Sequence, residues 1–124
     1  MFADRHATAM IPAKDLDRAR RWYEGILGLE PVRADENGAA YRLGGMDVFL
    51  YASEFAGTAQ HTLLSFDSQD LAADMKDLRE KGVKFEEYDL PGIKTEEGVA
   101  TFGDIKNAWA KDSEGNILGF VQGM

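Results

Sequence analysis

The sequence predicts an α+β fold in which two βαβββ modules form a curved mixed sheet with a pocket. Three observations predict it. The order strand, helix, strand occurs twice, each helix opening on an Asp-Leu pair, Asp15-Leu16 and Asp70-Leu71. The 55-residue offset between those pairs also relates the chain's only two histidines, His6 and His61. Finally, turn signals cut the remainder of each half into short strands with alternating apolar residues. One domain is expected over 1–124, module one at about 1–55 and module two at about 56–124.

Residues 7–11 read as the first strand. Asp15 caps a helix whose stripe is Leu16, Ala19, Trp22, Tyr23, Ile26 and Leu27, and Gly28 stops it. A strand follows at 31–34, the Asn37-Gly38 turn leads into 39–43, and Gly44-Gly45 turns the chain into 46–52. Residues 53–60 join the modules. In the second half, 61–66 read as a strand and Asp70 caps a helix with Leu71, Met75 and Leu78 on its apolar face. Gly82 ends that helix, and 83–87 read as the next strand. A polar connection over 89–98 has the length of many lids and of many plain loops. Strands near 99–102, 108–111 and 117–122 complete the chain, the last two joined by the turn Asp112-Ser113-Glu114-Gly115-Asn116.

The 124 residues are 44% hydrophobic and 29% charged, enough to bury a core. A net charge of −8 argues against nucleic-acid backbones and anionic membranes as partners, and it would tolerate or attract cationic ligands. The lack of cysteine removes disulfides, thiolate metal sites and cysteine nucleophiles. The first residues lack a signal peptide's apolar core and no run is long enough to span a membrane, so a cytoplasmic location is expected.

Strand alternation divides the side chains between two faces. Ala7, Ala9, Ile11, Val48, Leu50, Leu64, Phe66, Ala108, Ala110, Leu118 and Phe120 suit the helix-covered face. The other face is expected to carry His6, Thr8, Met10, Phe49, Tyr51, His61, Ser65, Trp109 and Gly119: aromatic walls with few polar groups. Trp22 and Tyr23 belong to the buried helix stripe. The Glu86-Glu87 and Glu96-Glu97 pairs read as solvated.

Several stretches, in this order, carry a resemblance: 15–23 with its Asp-Leu start and Trp22-Tyr23, Leu27-Gly28-Leu29, 55–58, 82–86, Asp89-Leu90-Pro91-Gly92, and 108–118 with its Asp-x-x-Gly-Asn turn. In these the chain resembles the vicinal oxygen chelate superfamily, which includes glyoxalase I, bleomycin-resistance proteins and extradiol dioxygenases. The resemblance implies paired βαβββ modules, a small organic ligand and a homodimer. It also implies where a metal would be held in members that use one. Those positions fall on Thr8, on Phe49 or Tyr51, on His61 and on Gly119, and only His61 is a usual ligand. No metal cofactor is therefore expected. If the register slips, His6 and His61 are the candidate divalent-metal ligands, with a carboxylate such as Glu54.

Three functions compete. In the first, a metal-free protein holds a flat organic ligand among Thr8, Met10, Phe49, Tyr51, His61, Trp109 and Gly119. In the second, His61 is a catalytic general base, since imidazole exchanges protons near neutral pH; Glu54, Tyr41 and Ser65 are its candidate partners. The third is a metal-dependent lyase, isomerase or dioxygenase of the glyoxalase type. The first leads.

Overall fold

Asp15 and Asp70 begin the two helices as the repeat predicts. Each carboxylate accepts a backbone N–H three residues on, from Arg18 at 3.0 Å and from Ala73 at 3.1 Å. The helices, α1 (Leu16–Gly25) and α2 (Leu71–Glu80), have equal length and stand 55 residues apart. Asp70→Ala is expected to cost about 1 kcal/mol, because it frees one N–H of the first turn. Urea unfolding measures this as a lower midpoint at unchanged slope; an unmoved midpoint refutes it.

The computed structural model describes residues 1–124. Module one contributes β1 (Thr8–Ala13), β2 (Pro31–Asp35), β3 (Gly38–Leu43) and β4 (Met46–Ala52). Module two contributes β5 (Thr62–Asp67), β6 (Asp89–Leu90), β7 (Ile93–Lys94), β8 (Ala100–Phe102), β9 (Ile105–Lys111) and β10 (Ile117–Gln122). Two four-stranded mixed sheets result, ordered β1-β4-β3-β2 and β5-β10-β9-β8, and β6 and β7 pair as a separate hairpin. In each sheet the module's first and last strands are adjacent and parallel, and the helix follows the first strand and carries the chain to the far side of the sheet. Strand pairing stops at the module boundary, so the curved surface is two sheets. No helix is long and apolar enough to cross a membrane.

Two expected features differ. Residues 83–87 form no regular strand. Phe85 makes a single bridge to Ala110, and the Glu86 N–H donates to the Trp109 carbonyl at 2.7 Å, while β8 takes the rest of that edge of β9. The first hairpin turns one residue earlier than Asn37-Gly38. Asp35 pairs with Gly38, and the Asp35 carboxylate accepts the Asn37 N–H at 2.8 Å, so the aspartate organises the turn.

Both helices pack on one core that draws on both modules. It includes Ala19 and Tyr23 of α1, Leu71, Met75 and Leu78 of α2, and the sheet residues Ile11, Val48, Leu50, Ala108, Ala110, Leu118 and Phe120. The closing turn fastens the second module to the first. Asp112 accepts the N–H groups of Glu114 and Asn116 and the Tyr23 hydroxyl, the last at 2.5 Å. Asn116 donates to the Pro12 carbonyl at 2.8 Å and accepts the Gly57 N–H at 3.0 Å. Glu114 accepts the Asp15 N–H at 2.9 Å and both arms of the Arg18 guanidinium, at 2.8 and 3.0 Å. Burial and the neighbouring Asp112 carboxylate push the Tyr23 hydroxyl's pKa far up, which keeps it a donor.

Candidate functional site

The first sheet leaves one face open, and its register sets what that face presents. Paired residues point to the same side. One row therefore runs Met10, Phe49, Ala40, Arg33 across β1, β4, β3 and β2. The row on one side of it is Thr8, Asp47, Arg42, and on the other Pro12, Tyr51, Gly38, Asp35. The alternate residues Ile11, Val48, Leu50, Ala39 and Tyr41 are buried against the helices. On the open side Met10 is 49% exposed and the neighbouring Val32 68%. A cavity of about 520 Å³ lies there, lined by Thr8, Met10, Phe49, Val32, Arg33 and Arg42 among others.

Its charges are unevenly committed. Arg42 Nε donates to Asp47 at 2.9 Å, and His6 Nε2 donates to the other oxygen at 2.7 Å. The Arg42 hydrogen bond, then the His6 one, holds the Asp47 carboxyl below the usual aspartate range. Arg33 forms no ion pair. The cavity wall is therefore locally cationic in a chain of net charge −8, opposite to the cation preference that the net charge alone favours.

In the second sheet the row Ser65, Gly119, Trp109 crosses β5, β10 and β9. A β-bulge in β5 opposite Ile117 and Leu118 breaks the period of two. It brings Thr62 onto this face, where its hydroxyl oxygen accepts the Trp109 indole N–H at 3.1 Å. Gly119 leaves room that Ser65 and Thr62 occupy: a Cβ there would lie 3.0 Å from Ser65 Oγ. Trp109 is only 8% exposed and packs with Ile117, Tyr88 and Ile93, Tyr88 meeting it edge-on at 5.4 Å. The β6–β7 hairpin thus covers it, so Trp109 is no open wall.

Glu87 ties the base of that hairpin, accepting the Thr95 hydroxyl at 2.6 Å and the Gly98 N–H at 2.8 Å. The Thr95 hydrogen bond is the main influence holding its carboxyl low. Glu87 is exposed, as its sequence pair implied, and serves in addition as a structural acceptor for the hairpin.

Thr8, Met10 and Phe49 therefore share one cavity, with Tyr51 in the next row. Trp109 and Gly119 lie together on the other sheet. His61 stands just before β5, exposed, and its Nδ1 donates to the Thr62 carbonyl at 3.1 Å. None of its candidate partners bonds to it. Tyr41 points to the buried face and donates to Glu24 at 2.8 Å. No three His, Asp or Glu side chains converge as metal ligands. With Thr8, Phe49 and Gly119 at the implied ligand positions and His6 held by Asp47, the donor set does not fit a divalent ion.

Val32, Arg33, Arg42 and Asp47 line the cavity without having been singled out from sequence. The largest cavity, about 630 Å³, lies elsewhere, at the start of α2. Its wall mixes Asp70 and Glu96 with Lys94 and Lys106, and Gln122 already accepts the Leu71 N–H at 2.8 Å.

Two copies of a helix-backed mixed sheet, each with one face free of the helix, define a paired-βαβββ protein. The chain belongs to the Glyoxalase/Bleomycin resistance protein/Dioxygenase superfamily, whose profile matches residues 5–118. Three solved structures share the fold. A glyoxalase family protein from Bacillus anthracis is 14% identical, with TM-score 0.74 over 98% of this chain and 96% of that one. A lactoylglutathione lyase from Agrobacterium tumefaciens is 15% identical, with TM-score 0.73 over 97% and 94%. A glyoxalase/bleomycin resistance protein from Catenulispora acidiphila is 22% identical, with TM-score 0.70 over 96% and 98%. No curated protein sequence matches the chain.

Proposed function

We propose that this protein binds a flat small organic molecule on the open face of its first sheet. It does so without a metal, as a cytoplasmic homodimer. The observation that carries the reading is the 520 Å³ cavity with Phe49 and Met10 on its floor and Thr8 beside them. Exposed Met10 and Val32 on that face supply apolar surface for a ligand and for a second copy to cover. In a twofold pair, exposed His61 of each chain's second module would edge the site formed by the other chain's Thr8, Met10, Phe49 and Tyr51, while Trp109 and Gly119 stay buried behind it. The enzymatic readings gain no support from His61, which lacks an orienting side chain.

The test combines native mass spectrometry with a ligand-observed NMR screen of aromatic metabolites. Expected results are a mass of twice 13.7 kDa and hits that weaken about threefold to tenfold in Phe49→Ala, the loss of one stacking partner. A monomer at micromolar concentration removes the dimer, and hits indifferent to Phe49→Ala remove the site. One tightly held Ni²⁺, Zn²⁺, Mn²⁺ or Fe²⁺ per chain, lost in His61→Ala, would replace the metal-free reading with a metalloenzyme.

A further inference from the structure

We infer that the ligand of this face is an organic anion, an aromatic or similarly flat carboxylate whose charged end is held by Arg33. The inference rests on the binding site proposed above and names the class of molecule it takes.

The row Met10, Phe49, Ala40, Arg33 grades from thioether through aromatic ring and methyl group to guanidinium. Phe49 and Arg33 sit two strands apart, about 10 Å between backbones, and the small Ala40 between them leaves the path open. Gly38 shapes the same surface: a Cβ there would lie 2.9 Å from Phe49 Cζ, so the ring rests over the glycine. A ring lying on Phe49 and Met10 with a two- or three-atom arm ending in a carboxylate spans this row.

The charges select the sign. Both oxygens of Asp47, the one carboxylate lining the cavity, are taken by Arg42 and His6. A ligand cation would have to compete with Arg42 for it. Arg33 has no such partner, and its planar fork suits two parallel hydrogen bonds to a carboxylate.

The test measures binding of 3-phenylpropionate, 3-phenylpropionamide and 3-phenylpropylamine to the full chain and to Arg33→Gln, Arg33→Lys and Phe49→Ala. Circular dichroism checks that each variant is folded. The acid is expected to bind about tenfold more tightly than the amide, the effect of one charge-assisted contact. Arg33→Gln should weaken the acid about tenfold and the amide much less, so that the difference between them closes, and Arg33→Lys should restore part of it. Equal binding of acid and amide, both weakened in Phe49→Ala, overturns the anion assignment and leaves the site standing. Preference for the amine overturns the assignment in favour of a cation. No binding by any probe, or binding that Phe49→Ala leaves untouched, overturns assignment and site together.

Discussion

Glu114→Gln is expected to lower the stability of the fold by about 2–3 kcal/mol at pH 7 and to flatten its response to acid. Burial alone would raise the Glu114 pKa. Hydrogen bonds from Arg18, from the Asp15 N–H and from Ser113 outweigh it and hold the carboxyl at about 2, against an ordinary 4.5. Its side chain is fully buried, while that of Arg18 is 49% exposed, which moderates the energy. A carboxyl whose pKa is depressed by folding adds stability above its unfolded value and loses it as pH falls through its folded value. The contribution is therefore complete above about pH 5, shrinks below 4.5 and is nearly gone at 2. Urea unfolding of wild type and variant should show a wide gap at pH 7 that narrows steadily through pH 3. A gap of the same size at both pH values would sink the electrostatic account.

Gly38→Ala is expected to cost at least about 3 kcal/mol and to disturb ligand binding with it. Gly38 adopts φ +155°, and a Cβ there would come within 2.1 Å of the Leu50 carbonyl oxygen as well as meeting the Phe49 ring. Backbone cannot give way as a flexible side chain can, so β3 must move off β4. Gly44 is the control. It has φ +56° with open space around it, so Gly44→Ala carries only the conformational penalty, about 1 kcal/mol. Thermal and urea unfolding of the two variants decide it: equal losses would mean that the close approach is not what requires glycine.

The modules were legible because their signals are local. The Asp caps, the Leu71, Met75 and Leu78 stripe and the Asp-x-x-Gly-Asn turn act within a few residues of themselves. The site was legible only where strands kept their alternation, as at Thr8, Met10 and Phe49. On β5 the bulge inserted one residue, and Thr62 rather than His61 came to lie beside Trp109. On β2 the difficulty was register. A turn centred on Asn37-Gly38 would set Arg33 against Arg42, whereas the turn governed by Asp35 sets it against Ala40, in line with Phe49. The polar connection was ambiguous for another reason: the burial of Trp109 beneath it depends on Tyr88 and Ile93 returning over a distant strand.

The turn at Asp112–Asn116 also bears on the order in which the chain can fold. Its bonds to Asp15, Arg18, Tyr23 and Pro12 join residues 89 to 104 positions apart in a chain of 124. During synthesis, the start of α1 waits for these partners until nearly the whole polypeptide has emerged. The first module, although made first, is completed only after the closing turn of the second has been made. Closing so long a loop before its contacts are rewarded slows folding. A chain truncated before Asp112 lacks every one of these partners, so the halves of this internal duplication are not interchangeable, independent units.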